Sequence, residues 1–422
     1  MDNVLTAMGR QTRFGAGIVA VSLLAAGCAS ADAAQPSTIS RGMAKTEPAA
    51  DARPYGAADT AFGLNLLGAW CRQDPQQNLL LSPASMATGL GMAYLGARGA
   101  TATAMAKVLQ LPDPANLAGL SARTQAMNSL DGPGVTLDQS NQVWADPSLK
   151  TNQSYLNALA AGYQAGVARV PLLTDPAQAA QRIDQAVSDA TKGQIQHLVN
   201  AGLLHDLGWV LTSALYLNAD WATKFQPSMT SQQPFTTASG QTVRPQFLHG
   251  GQYQVGSAGG WTGVTLPYQG GKVKMVALLP PQDSAPQKSG CAMPGTSTLA
   301  SIENHGTTGS IAMPKVKLSS SGSFKNLLAA LGMGRAFGGT ADLTGISPQA
   351  GSIGLVQQDA TMAVSEKGTV AAAATAVGVT ATAVGVTTGR VITFNRPYLM
   401  LITSAATGEP LFLVRVVNPM NG

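Results

Sequence analysis

Cysteine is scarce: three residues, Cys28, Cys71 and Cys291, in a chain of 422. Three thiols exclude a disulfide-dense mini-domain and a four-cysteine zinc site. Charge is scarce too, at 11% of residues, and aromatics make up 5%. A phosphate-tracking surface needs clustered cations with aromatic platforms, so a dispersed net charge of +5 argues against nucleic acid as a partner. Removing the first 27 residues, with Arg10, Arg13 and Asp2, lowers that charge only to +4. There is no Gly-x-Ser-x-Gly elbow, and no lysine has a serine three places before it. His-Glu-x-x-His, the phosphate-cradling Gly-x-x-x-x-Gly-Lys and a dinucleotide fingerprint after a strand are also missing. The four histidines, His197, His205, His249 and His305, are scattered and read as surface or capped residues rather than ligands. An enzyme is therefore not expected, and neither a metal nor a cofactor is implied. What the chain has in quantity is apolar residues, 45% of it, enough for a large core. The length allows two to three domains or one large β-rich domain.

The N-terminus carries Arg10 and Arg13, then an apolar small-residue run from Phe14 to Ala26, then Gly27-Cys28. A positive flank, about thirteen apolar residues and small residues at a cut are the architecture of an export signal. The run is too short to span a bilayer comfortably. Cys28 after Gly27 resembles a bacterial lipobox, in which that thiol is acylated, although Leu24 sits one place earlier than the commonest arrangement. An ordinary secretory signal with an incidental cysteine is the alternative. Residues 28–54 are rich in Ala, Ser, Thr, Asp and Pro without apolar periodicity and read as a flexible tether, with the folded part beginning near Tyr55. The expected location is export, either lipid-anchored through Cys28 at the cell surface or outer membrane, or periplasmic or extracellular. Cys71, on an apolar helical face, and Cys291, in a Gly/Pro/Ser loop, read as unpaired thiols; a disulfide between them depends on geometry.

Apolar residues at helical spacing (Phe62, Leu66, Leu67, Trp70) place a helix over Ala57 to Cys71. Ser85 to Gly96 reads as a buried small-residue helix, and Ala177 to Val199 as a helix with Ile183, Val187, Ile195 and Leu198 as its stripe. Later, Val210 to Leu217, Val273 to Leu279 and Tyr398 to Val417 are rich in strand formers with turn signals between them. Helices early and strands late give an α+β single domain with a large sheet.

One segment has an unusual composition. Glu366-Lys367-Gly368-Thr369-Val370 leads into Ala371-Ala372-Ala373-Ala374, and from Gly368 to Gly389 only Gly, Ala, Val and Thr occur. The heptad Ala374 to Thr380 repeats as Ala381 to Thr387. A low-complexity linker is one reading. Yet Val and Thr are strand formers, and an exposed strand former is an edge-pairing hazard unless it is meant to enter a sheet. At a period of two, Thr369, Ala371, Ala373, Thr375, Val377 and Val379 share a face with no charge and nothing larger than Val. Inserted between strands, that face would bury no unpaired charge and would not overpack its neighbours.

Glu366-Lys367-Gly368-Thr369 followed by the alanine run resembles the hinge of a serpin reactive-centre loop. Asn78 to Ser85, Leu95 to Thr101, Thr212 to Trp221, Phe394 to Tyr398 and Leu411 to Pro419 resemble that family's motifs in the same order, over about 365 residues. The resemblance implies an α+β serpin fold over residues 55–422: a single domain of three β-sheets and about nine helices, with an exposed loop at about 366–393. It implies that a serine protease cuts the loop, is held as an acyl enzyme, and is disabled when the loop inserts into the main sheet. The chain would be consumed rather than turn over, acting as a monomer without cofactor.

By the same resemblance, Ser82, Ser85, Asp184 and Gln358 form the shutter beneath the sheet, with Asp184 standing where Asn and Gln358 where His are usual. Ser82 and Ser85 would serve equally as helix-start caps. Trp221, Lys315 and Glu366 match the breach at the top of the sheet, where Lys315 and Glu366 could also be an exposed pair of little energetic value. Fourteen residues on from Gly368 the scissile bond falls at Thr382-Ala383, whereas counting back about eight residues from Phe394 gives Val386; Thr382-Ala383 is the expected bond and Ala381 to Val386 the bracket. Small or β-branched residues there fit a shallow apolar pocket, which points to elastase-like or subtilisin-like targets. Arg98, Lys107, Arg123 and Lys150 are too sparse to imply a polyanion cofactor. A non-inhibitory serpin that binds at a surface, and an unrelated exported enzyme or structural lipoprotein, remain the alternatives.

Overall fold

The computed structural model describes residues 38–113, 115–282, 291–370 and 390–421. The chain runs β1 (Ile39–Ser40), α1 (Arg53–Gln73), β2 (Leu79–Leu81), α2 (Pro83–Tyr94), α3 (Gly99–Val108), α4 (Leu117–Asn128), β3 (Val135–Ala145), α5 (Gln153–Tyr163) and β4 (Val167–Arg169). It continues through α6 (Pro176–Ala190), α7 (Ala201–Leu204), β5 (Trp209–Asp220), β6 (Ser231–Gln232), β7 (Phe235–Thr236), β8 (Thr242–Val243), β9 (Gln246–Ala258), β10 (Trp261–Pro267) and β11 (Val273–Leu279). The last part holds α8 (Thr296–Asn304), β12 (Gly306–Pro314), β13 (Val316–Ser323), α9 (Lys325–Leu328), β14 (Gln357–Val364), β15 (Gly368–Val370), β16 (Val391–Thr393), β17 (Tyr398–Ser404) and β18 (Pro410–Val416). The described residues thus form nine α-helices and three sheets, the α+β serpin fold that the sequence implies.

The large sheet has the order β1-β4-β3-β5-β15-β14-β13, and a nine-stranded sheet runs β16-β12-β9-β10-β11-β17-β18-β2 with β6 off its path. Between the sheets lies a core holding Leu217, Trp221, Phe247, Tyr268, Met362 and Phe412. A second core joins Phe62, Leu66 and Leu67 of α1 to Leu81 of β2 and to Leu399, Leu401 and Leu413 of β17 and β18. Each fully buried leucine or phenylalanine contributes about 1.5–3 kcal/mol, so these two layers hold the sheets in register.

Local chemistry sets the element ends. Pro54 opens α1, where its missing N–H costs nothing. The Ser82 hydroxyl caps α2 by accepting the Ser85 amide. The helix expected over Ala177 to Val199 stops at Ala190, because Lys192 and Gly193 adopt φ of 52° and 78°. The stretch from Tyr398 to Val417 is two antiparallel strands, turned by Gly408 at φ 71°.

Two further findings differ from the sequence expectations. Part of the tether is ordered: Ile39 and Ser40 pair antiparallel with Ala168 and Val167, and the Met43 amide donates to Asn157 Oδ1 at 3.0 Å. Cys71 and Cys291 are disulfide-bonded, with Cα atoms 5.5 Å apart, rather than unpaired. Arg123 lies inside the domain. It is buried against Asp59 of α1 at 2.6 Å and Glu409 of the β17–β18 turn at 2.7 Å, which ties α1, α4 and that turn together. Burial, reinforced by the neighbouring Glu409, pushes the Asp59 carboxyl well above the usual range although Arg123 pulls the other way.

Candidate functional site

The hinge departs from the sequence expectation in one respect: its first residues are already in the sheet. After β14, Ser365 turns the chain back, its amide donating to the Gly368 carbonyl at 2.9 Å. Gly368, Thr369 and Val370 then pair antiparallel with Asp220, Ala219 and Asn218 of β5, while Thr369 and Val370 also pair with Val364 and Ala363 of β14. Glycine is required at 368, because a Cβ there would lie 2.1 Å from the Ala219 carbonyl oxygen. Thr369 is fully buried, and its hydroxyl shares a 2.6 Å hydrogen bond with the buried Tyr268 hydroxyl. A small polar residue thus sits where its one polar atom has a partner. Val370 is half-buried.

Over the rest of their length, β5 and β14 share no ladder among the described residues. The edge of β5 from Trp209 to Leu217 that faces away from β3, and the edge of β14 from Gln357 to Met362 that faces away from β13, have no described strand beside them. Backbone donors and acceptors on both sides of one strand-wide position are what an entering strand would satisfy.

Trp221, Lys315 and Glu366 converge above the hinge. The Trp221 indole stacks on Tyr268, with centroids 4.4 Å apart and planes 9° from parallel, and donates to the Ser365 carbonyl at 2.9 Å. The Lys315 ammonium lies 2.9 Å from one Glu366 oxygen and donates to the other at 3.0 Å, where Thr230 also donates at 2.8 Å. Burial alone would raise the Glu366 pKa. The hydrogen bonds from Lys315 and Thr230 outweigh it and hold the carboxyl below its ordinary value.

Ser82, Ser85 and Gln358 meet beneath the sheet. The Ser82 amide donates to Gln358 Oε1 at 2.9 Å, Gln358 Nε2 donates to the Leu80 carbonyl at 3.3 Å, and the Ser85 hydroxyl donates to the Ser213 carbonyl at 2.7 Å. These bonds join α2 to both β5 and β14 across the line where they lack a shared ladder. A cavity of about 30 Å³, room for a water, lies among Ser85, Ser213 and Gln358. Asp184 does not belong here. It sits on α6 and accepts the Leu198 and Val199 amides at 2.8 and 3.1 Å, fastening the segment after its own helix. The place expected of it is taken by Ser213 of β5, whose hydroxyl donates to Asn141 of β3 at 2.7 Å.

Sequence reasoning missed Ser213, Asn141, Thr230 and Tyr268. For Ser213 the signal was present, since it lies inside the Thr212 to Trp221 motif in the strand that faces α2. Tyr268 offered none: it follows β10, and its partners Trp221 and Thr369 are distant in sequence. Ala371, Ala372, Ala373, Ala374, Thr382, Ala383 and Cys28 lie outside the described residues.

Known proteins agree with this geometry. A family model, serpin (serine protease inhibitor), matches residues 57–419. The chain is 31% identical over 354 residues to an uncharacterised serpin-like protein of Thermococcus kodakarensis, covering 82% of each. It is 28% identical to the leukocyte elastase inhibitor of Bos taurus, covering 86% of this chain and 99% of the relative. Among solved structures it is similar to the thermophilic serpin tengpin in the native state, with a TM-score of 0.76, 22% identity, and coverage of 91% of this chain and all of that one. With a hinge strand seated between β5 and β14 and a family match over nearly the whole described domain, the chain belongs to the serpin family.

Proposed function

We propose that the chain is a suicide-substrate inhibitor of serine proteases with elastase-like or subtilisin-like specificity, and not an enzyme. The observation that carries this reading is the hinge itself: Gly368 to Val370 already form the first pairs of a strand that could continue along the β5 and β14 edges, which have no partner strand among the described residues. The residues that follow are Ala, Val, Thr and Gly up to Gly389, which suits entry between strands. The protease serine attacks the Thr382 carbonyl, the bond to Ala383 breaks, and an ester links protease to loop. Insertion from Val370 onwards then carries the bound protease along the sheet before water can release it. The native state is therefore held by a kinetic barrier, and insertion releases the difference.

Small residues from Ala381 to Val386 favour a shallow apolar specificity pocket, and similarity to a leukocyte elastase inhibitor supports that class of target. We further propose that residues 1–27 are an export leader and that Cys28 carries lipid. The Cys71–Cys291 disulfide supports an oxidising compartment. Incubation with elastase and with subtilisin, followed by denaturing electrophoresis, tests the inhibitor reading. A covalent band at the summed mass is expected. Loop cleavage without that band would sink it in favour of a non-inhibitory serpin.

A further inference from the structure

Arg123, Asp59 and Glu409 form a buried cluster of one cation and two carboxyl groups, and the hinge, the breach and the shutter use none of the three. We propose that Asp59 and Glu409 share a single proton in the folded state, making a pH-sensitive fastener that holds α1, α2, α4 and the β17–β18 turn together and loosens when that proton is lost.

The single Nε hydrogen of Arg123 is split between Asp59 Oδ2 at 2.6 Å and Glu409 Oε2 at 3.2 Å, so the two carboxyl groups meet at one donor. Their side chains are also hydrogen-bonded to each other. An ionised carboxylate only accepts, so a bond between two of them needs a proton on one. The other guanidinium donors are committed: Nη2 donates to Glu409 Oε1 at 2.7 Å and to the Ala84 carbonyl at 3.1 Å, and Nη1 donates to the Thr88 hydroxyl at 2.9 Å. None of the three residues is more than 4% exposed. Two ionised carboxylates against one arginine would bury an uncompensated negative charge, whereas one proton makes the cluster neutral. The other titratable side chains facing it are Tyr55 of α1 and Tyr163 of α5, with Tyr94 of α2 acting on Tyr55. Burial pushes the Tyr55 and Tyr163 hydroxyls up, so both stay uncharged while the pair titrates. Burial is also the chief cause that lifts Asp59; Asp51, Asp146, Asp342 and Glu366 move the other way. Ala84 and Thr88 belong to α2, whose Ser82 and Ser85 bond to Gln358 of β14 and Ser213 of β5. The proton therefore steadies the helix on which the shutter is built.

The unfolded chain holds no such proton at neutral pH, so the folded state binds one more. The stabilisation is full below the ordinary carboxylate range and declines as pH rises towards the raised folded value. The test is infrared spectroscopy and thermal melting of the intact chain and of Asp59→Asn, which keeps the shape of the neutral acid. At about pH 7, where ordinary Asp and Glu are ionised, the wild type should show the carbonyl stretch of a protonated carboxyl and the variant should lack it. As pH rises from about 5.5 to 7.5, the wild-type melting midpoint should fall relative to that of the variant, by the equivalent of about tenfold in the unfolding constant per pH unit. Glu409→Gln also dissolves the pair and takes the place of the first variant if that one fails to fold. If neither folds, the wild-type band decides: persistence past about pH 6 supports the shared proton, and fading in the ordinary carboxylate range overturns it. A wild type without the acid band, a band that survives in the variant, or midpoints that run parallel with pH would overturn it as well.

Discussion

In the proposed mechanism, Thr369 is the side chain that would decide between inhibitor and substrate. Its position is fully buried and offers a single hydroxyl partner, Tyr268. Thr369→Arg would place an unpaired guanidinium there, at a cost of several kcal/mol, so the hinge would stay out. The expected outcome is a chain that elastase cuts readily without forming a covalent complex; full inhibition by the variant would contradict the seated hinge. Glu366 makes the same region sensitive to acid. Its folded pKa is lowered, so the unfolded state binds more protons as pH falls; the stabilisation is present above the ordinary carboxylate value and is lost as pH drops through the folded one. Melting curves below about pH 4.5 should therefore fall less steeply for Glu366→Gln than for the wild type. An identical acid limb would refute the assignment.

Among the elements, the disulfide fastens α1 to the segment just before α8, and it closes a loop with a sequence separation of 220. The chain-entropy account gives about 5 kcal/mol for a loop of that size. Replacing both Cys71 and Cys291 with alanine should lower the melting temperature by about 5 °C, and a reductant should then shift the wild type but not the variant. Neither cysteine announced this in the sequence, because a bond between residues so far apart depends on tertiary geometry alone. Elements with a strong period were legible: β11 matches the expected strand over Val273–Leu279 residue for residue. Boundaries were less so where one residue's φ decides, as at Lys192, or where a single glycine makes two strands of one apolar stretch, as at Gly408. The hinge was legible by composition and resemblance. Its partial seating was not, since that rests on the Ala219 carbonyl and the Tyr268 hydroxyl, which only the fold brings near. Asp184 was misplaced for the same reason: an acidic residue near a motif has no sheet position until the helix ends are known.

Across the whole molecule, the reading requires that the large sheet be incomplete in the intact state. Completing it would add hydrogen bonds along both the β5 and the β14 edges, so the clipped chain should unfold at a markedly higher temperature than the intact one. Calorimetry before and after limited proteolysis checks this; equal midpoints would mean that the sheet gains nothing from the cut. The disulfide and the strand order also decide what a cut leaves behind. Neither cysteine of the bond lies beyond residue 291, whereas β17 and β18 are wholly buried strands inside the nine-stranded sheet. After the proposed scission at Thr382 the downstream piece would have no covalent tie to the rest, yet it supplies two interior strands of the nine-stranded sheet. Such a severed tail would co-migrate with its parent in any gentle separation and fall away in detergent, whether or not thiols are reduced.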